Sequence, residues 1–281
     1  MWLILSLAAV LMFTAQNILM RVLAVKSDHP RTFSFIFNLW GTLFALLIFT
    51  IERPSMISIT QISWLQILLI GGAALGYGLY ERTHFLARKH LDASTTAVLF
   101  RLGPIIAFIG AIIFLHEPLT VTKFIGASIL IGASFIVLHK NPHLRANRAV
   151  YLAIFGASML GLAALFDKPA SDGIPVALYS AAMWAFSLPI IAFPKMTLKQ
   201  LKKEFSIGGW KVALTAFLNV FGFILYLKAL SLADASRVIP ITSSTGTLTV
   251  LAGIFILKEN SYIGRKIFAG ILMLVGILLL K

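Results

Sequence analysis

A chain of 281 residues that is 59% hydrophobic and only 12% charged, with a mean hydropathy of +0.93, has more apolar surface than one soluble core can hide. Disorder is excluded by the same arithmetic, because disordered chains are poor in apolar residues. The 24 Lys and Arg against 10 Asp and Glu, a net +14, fall mainly in short gaps between apolar runs, a pattern that fits bilayer orientation and anionic headgroups and not nucleic acid.

Crossing ~30 Å of hydrocarbon takes roughly 20 apolar residues in a helix. Ten such runs follow in chain order: 2–25, 32–51, 62–87, 93–115, 120–139, 149–167, 174–193, 207–230, 235–257 and 261–280. The first lacks a basic leader and is long, so it reads as a retained helix and not as a cleaved signal. The breaks carry turn chemistry or charge: Asp28-His29-Pro30-Arg31, Glu52-Arg53-Pro54, Lys89-His90-Leu91-Asp92, His116-Glu117-Pro118 and Lys140-Asn141-Pro142 in the first part. Asp172-Gly173, the stretch from Lys195 to Glu204, Ala233-Asp234 and Lys258-Glu259-Asn260 follow. These gaps are too short for a soluble domain, so the function lies within the bilayer or at its faces. The expected class is an all-α polytopic membrane protein, placed in the cytoplasmic membrane.

Self-similarity organises the ten spans. Asp92-Ala93-Ser94 recurs as Asp234-Ala235-Ser236, and a glutamate follows each aspartate 25 residues on, Glu117 and Glu259, at the end of an apolar run. With one residue of slack, Lys123 matches Lys266, Ala127 matches Gly270 and Ala133 matches Gly276; Trp40 and Trp184 sit at similar distances after Pro30 and Pro175. The chain therefore divides into two five-helix halves, 1–140 and 145–281. Five is odd, so the second half enters the membrane from the opposite side. Such an inverted repeat is common in secondary transporters, with the substrate site at the repeat interface.

These features resemble the drug/metabolite transporter superfamily, in its ten-helix, EamA-like branch. The resemblance rests on Leu91-Asp92-Ala93-Ser94, Pro104, Glu117 and Gly126 in the first half. The second half offers Ala229-Leu230, Ala235-Ser236, Glu259 and Gly270, with Pro240 earlier than the family's proline. Small residues in the last helix of each half (Gly126 and Gly132; Gly270 and Gly276) complete it. The resemblance implies export or exchange of small metabolites, often amino acids, nucleotide-linked compounds or drugs.

Ionisable groups in hydrocarbon are costly, which makes Glu81 and Arg101 candidates. Each lies about ten residues from the turn between its helices, so at 1.5 Å per residue both reach roughly 15 Å in and can pair. Two readings stand side by side: a packing ion pair, or a contact for a charged substrate group or a coupling proton. Tyr77, Tyr80 and His84 in the third span, Asn219 and Tyr226 in the eighth, Thr242 to Thr245 with Ser243 in the ninth, Gln16, Asn17, Asn38 and Trp40 early in the chain, and Trp184 in the seventh lie at similar depth. Singly each fits interhelical hydrogen bonding or interfacial anchoring. Together they form a polar, aromatic wall. Pro104 and Pro240 are the expected helix breaks in matching spans, where backbone groups are freed for a ligand.

Gly71, Gly72, Gly76 and Gly78 form a close-packing face, read as intrabundle packing before dimerisation; monomer and homodimer both stay open. Pro142 separates His139 from His143 and removes a metal pair, cysteine is absent, and no hydrolase signature or P-loop is present. No cofactor is expected. The reading is a non-enzymatic carrier of a small polar molecule, with a proton or ion as the open coupling partner; the alternatives are a membrane-embedded enzyme and a channel. The gaps after odd-numbered spans hold 16 Lys and Arg and the side carrying the termini holds 6, which places the termini outside, whereas the resemblance implies cytoplasmic termini.

Overall fold

A computed structural model describes residues 1–24, 26–53, 62–90, 99–100, 102–138, 148–256 and 263–280. Arg101, Asp92 to Ser94, His139 to His143 and Lys258 to Asn260 lie outside these described residues. Among the described residues every regular element is a helix. In chain order these are α1 (Trp2–Ala24), α2 (Pro30–Glu52), α3 (Trp64–His90), α4 (Leu102–Phe114), α5 (Val121–Leu138), α6 (Arg148–Ser171), α7 (Val176–Ala192), α8 (Leu198–Leu230), α9 (Ala235–Ser243), α10 (Thr245–Ile256) and α11 (Ile263–Leu280). The helices α9 and α10 share the ninth span, so the ten spans are present. By length and composition α1, α2, α6 and α8 can each cross a bilayer, while α4, α5, α7 and α11 are shorter apolar helices.

The helices are apolar on both faces, as lipid-solvated helices must be. On α2, Phe33, Ile36 and Phe37 are buried, while Leu39, Leu43, Leu46 and Leu47 are exposed to what is lipid in a membrane. The contacts obey the repeat. Spans three and six pack together (α3 on α6), and so do spans eight and one (α8 on α1), the same pair moved by five places. Spans two and eight match seven and three in the same way, through α2 on α8 and α7 on α3. The packing of α4 on α6 matches that of α9 and α10 on α1. The pairs that map onto themselves, α2 with α7, α5 with α11 and α4 with α9, join the halves. At the α5–α11 crossing a methyl on Gly126 would meet the Gly276 carbonyl at 3.1 Å, and one on Gly276 would meet the Gly126 carbonyl at 3.0 Å. Only hydrogen side chains permit this approach. On α3, Gly72 faces Phe166, Gly76 faces Met159 and Ala163, and Gly78 faces Ile190, so these three glycines serve packing inside the bundle.

Three boundaries differ from the sequence reading. The sixth span does not stop at residue 167 but runs through Pro169 to Ser171. The eighth begins at Thr197, whose side chain accepts from the Gln200 N–H while the Gln200 side chain accepts from the Thr197 N–H, a capping box. This lead-in helix bends at Gly209, with φ 50° and ψ −148°, a region that only glycine enters without strain. The ninth span is not interrupted at Pro240, which lies within α9; the interruption is at Ser244. Hydroxyls there satisfy loosened carbonyls: Ser243 Oγ donates to Pro240 O at 2.7 Å, Ser244 Oγ to Ile241 O at 2.6 Å and Thr245 Oγ1 to Thr242 O at 2.6 Å. Pro104 occupies the first turn of α4, where a missing N–H costs no helical bond.

Candidate functional site

Between the halves lies a cavity of about 300 Å³. Its wall takes Asn17 from α1, Tyr77, Tyr80, Glu81 and His84 from α3, Pro104 from α4, Trp184 from α7, Asn219 and Tyr226 from α8 and Ser243 from α9. Most of the described residues expected at a site from sequence thus meet in one space; Trp40, Ser244 and Pro240, the last buried in α9, do not line it. The expected partner of Glu81, Arg101, lies outside the described residues. Gln16, Asn38, Thr242 and Thr245 join the wall. Trp40 does not: it stacks on Phe44 and on Phe205 of the lead-in helix.

Glu81 is held from α2. Ser34 Oγ donates to its carboxylate at 3.2 Å and Asn38 Nδ2 at 3.4 Å, while His84 Nδ1 lies 3.8 Å away, one turn along α3. Two neutral donors and an imidazole replace part of the water that a carboxylate loses in a membrane. The His84 ring stacks on Tyr80 with centroids 4.7 Å apart, and both meet the Phe100 ring edge-on. Across the cavity, Phe223 stacks on Tyr226 and meets Tyr77 edge-on. Trp184 is placed by Gly41, since any side chain there would collide with the indole, and by Phe37 in an edge contact at 5.7 Å. The wall is therefore largely aromatic, with a carboxylate, amides and hydroxyls at a few points, the usual composition of a small-molecule site.

One group was not foreseen. Asp167 of α6 is fully buried. Tyr77 donates to one of its oxygens, and Tyr179 of α7 donates to the other at 2.9 Å. Tyr226 lies beside the same carboxylate and donates its hydroxyl to Ala164 O at 3.4 Å. Asp167 is masked in the sequence because Asp167-Lys168-Pro169 looks like the end of a span. A helix tolerant of Pro169 in its last turn puts the aspartate one turn inside.

A second polar group closes the face that carries the termini. Glu117, three residues past the end of α4, accepts from the N–H groups of Ala235 at 2.7 Å and Ser236 at 2.8 Å, which are the first free donors of α9. A carboxylate there also meets the positive end of the helix dipole. Lys168 bridges Glu117 at 3.2 Å and Asp234 at 3.9 Å, and donates to Ala233 O at 2.9 Å. Lys123 of α5, itself buried, reaches Asp234 at 2.6 Å. Burial pushes the Asp234 carboxyl up, but the Lys123 hydrogen bond and the charges of Lys123, Lys168 and Arg237 outweigh it and hold it below the usual carboxylate range. Glu117 and Lys123 belong to the first half, and Lys168, Asp234 and α9 to the second. Among the described residues no His, Asp and Glu groups gather as a metal site.

A ten-span bundle of two inverted repeats around a polar, aromatic cavity defines an integral membrane transporter, and comparison with known proteins names its kind. The chain belongs to the EamA-like transporter family, whose model matches residues 1–139 and again residues 147–281. It is 25% identical over 280 residues to an uncharacterised transporter of Archaeoglobus fulgidus, covering 98% of this chain and 96% of that one. It is 26% identical over 124 residues to a probable terminal-alkyne amino-acid exporter of Streptantibioticus cattleyicolor, covering 42% of this chain and 41% of the relative. A WAT1-related protein of Arabidopsis thaliana is 25% identical over 195 residues, spanning 67% of this chain and 50% of its own. A protein of known crystal structure shares the fold at a TM-score of 0.71 and 14% identity, over 99% of this chain and 95% of that one.

Proposed function

We propose that this transporter is a carrier of a small polar metabolite, of the amino-acid class, working by alternating access in export or exchange. The observation that carries the reading is the cavity at the repeat interface, with Glu81, Asn219 and Ser243 set in an aromatic wall that both halves build. A carboxylate in the cavity wall suits an ammonium group, and Asn219 and Ser243 suit a carboxylate. Tyr80, His84, Tyr226 and Trp184 enclose the remainder by face and edge contacts. The relative named as an amino-acid exporter supports the same class. In two inverted halves, closing one face while opening the other needs only a rocking of one half against its partner.

The test is a thermal-shift panel of amino acids and related amines on the purified protein, followed by flux of each hit in proteoliposomes. A specific ligand raises the melting temperature by mass action, and its flux saturates with concentration. Glu81→Gln weakens the binding of amine-bearing ligands about tenfold or more, corresponding to roughly 1.4 kcal/mol, while the elution profile stays that of the parent. Flux that rises linearly without saturation identifies a channel and overturns the reading. Ligand affinity unchanged in Glu81→Gln removes this cavity as the site.

A further inference from the structure

The cavity floor holds a second intramembrane acid. Asp167 lies four residues before the end of α6 and Tyr226 four before the end of α8, so both are about 6 Å inside the face that carries the termini. Above them is the cavity, to which Tyr77 and Tyr226 belong. Below them is the Glu117–Lys168–Asp234 network. The groups that face Asp167 are Tyr77 from α3, Tyr179 from α7 and Tyr226 from α8; on α6 itself its neighbour Lys168 turns away to Glu117 and Asp234. Among the described residues no lysine or arginine pairs with Asp167. The other deeply buried acids are engaged differently: Glu117 by α9 backbone donors, and Glu204 by the N–H groups of Asp28 at 3.0 Å and His29 at 2.6 Å.

We propose that Asp167 is the proton-binding site of the carrier, taking up and releasing one proton per transport cycle and so coupling substrate movement to a proton gradient. This rests on the carrier reading of the cavity and adds the coupling ion to it. The chemistry follows from donor counting. An ionised carboxylate accepts from several hydroxyls, and the tyrosines supply them without any fixed positive charge. A hydronium from water at the floor gives its proton to one oxygen of Asp167, leaving water and a neutral acid whose O–H is now a donor. One tyrosine hydroxyl then loses its acceptor and must turn elsewhere. Tyr226 already has the alternative, the Ala164 carbonyl. The Tyr77 bond joins the first half to the second, so its loss loosens the halves at the floor. Lys168, the next residue on α6, holds the network that shuts the face below. Proton uptake from that face therefore favours its opening, and the turned hydroxyls of Tyr77 and Tyr226 present new donors to a substrate in the cavity. Return of the proton to water in the cavity restores the tyrosine grip on the carboxylate. Linkage makes the effect reciprocal: a ligand that takes those hydroxyls changes the proton affinity of Asp167 by the factor that the proton changes its own.

Infrared difference spectroscopy on the full-length protein in nanodiscs, titrated between about pH 5 and pH 9, reads the proton directly. The expected result is a titrating carboxylic-acid C=O band that disappears in Asp167→Asn and persists in Glu81→Gln. Tyr77→Phe keeps the carboxyl but removes one donor, and moves the midpoint of that band by on the order of one pH unit. A purely structural aspartate gives no titrating band. No band in the parent protein, a band that survives Asp167→Asn, or a band lost in Glu81→Gln overturns the proposal. If Asp167→Asn does not fold, the Tyr77→Phe midpoint decides alone, and an unchanged midpoint overturns it. No substrate enters this experiment, so its failure leaves the carrier reading standing, while failed flux and ligand panels leave a titrating Asp167 untouched.

Discussion

The closed face and the cavity are built on opposite principles. At the face, the polar residues belong to the repeat: Glu117, Lys168 and Asp234 have Glu259, Lys26 and Asp92 at the same offset in the other half, and Lys123 has Lys266 one residue further. In the cavity the pattern is lost: Glu81 corresponds to Phe223, His84 to Tyr226, Tyr77 to Asn219, and Asp167 to Val25. A carrier needs to shut on either side, so parts that clamp one half to the other gain from being encoded twice. A substrate is not two-fold symmetric, so the residues that would read it have no reason to repeat. Repetition thus separates mechanical residues from chemical ones in a single sequence. The closed face also satisfies its charges with backbone donors and lysines, whereas the cavity acids meet hydroxyls, an amide and an imidazole. The first arrangement locks; the second leaves room for a ligand.

The contrast breaks most readily at Glu117. Glu117→Ala strips two buried α9 N–H groups of their acceptor and leaves Lys168 with Asp234 and the Ala233 carbonyl, so stability falls by on the order of 3 kcal/mol. Denaturant unfolding in mild detergent measures it, and a loss no larger than that of Glu81→Gln would put the two regions on the same footing. The next effect belongs to the α5–α11 crossing. Gly126→Leu overpacks a contact with the Gly276 carbonyl and costs about 2 kcal/mol, within the range for inserted bulk in close-packed sites. Ligand affinity remains that of the parent, because neither glycine reaches the cavity wall.

A smaller effect appears as pH dependence. The folded state holds Asp234 below the usual carboxylate range, so its contribution is present above the pKa of an unfolded aspartate. That contribution fades as pH falls through the lower folded value. Melting temperature of the parent therefore declines on acidification in the acid range, and Asp234→Asn starts lower at neutral pH with a flatter acid limb. An identical slope in both proteins would remove Asp234 from the clamp.

Much of this was legible in the sequence because a bilayer enforces simple rules. Ten spans follow from runs long enough to cross hydrocarbon, and inversion follows from an odd helix count. The polar residues of the cavity stood out because apolar surroundings make each one conspicuous. What escaped depended on local geometry. Asp167 was hidden by a proline that α6 absorbs in its last turn. The ninth span breaks at Ser244 and not at Pro240, because a run of hydroxyls can serve the loosened carbonyls while a single missing N–H inside a packed helix is tolerated. The lead-in of α8 was concealed by its lysines, although Leu198, Leu201 and Phe205 recur at helical spacing and Thr197 with Gln200 marks its start.

That lead-in supplies the smallest expected effect and the sharpest control, because two neighbouring residues on it bind the same turn in different ways. Glu204 is buried and accepts from the Asp28 and His29 N–H groups, which open α2, so it fixes the entry of α2 through the backbone. Lys203 pairs with Asp28 at 2.6 Å, but both side chains are more than half exposed. Water screens such a pair, and the entropy of holding a long lysine chain offsets most of what remains. Lys203→Ala therefore leaves the melting temperature unchanged within error at physiological salt, although its ion pair is among the shortest of the described residues. A measurable drop would mean that distance, and not burial, ranks the polar contacts of this fold, and the distinction drawn between Glu117 and the exposed charges would fall with it.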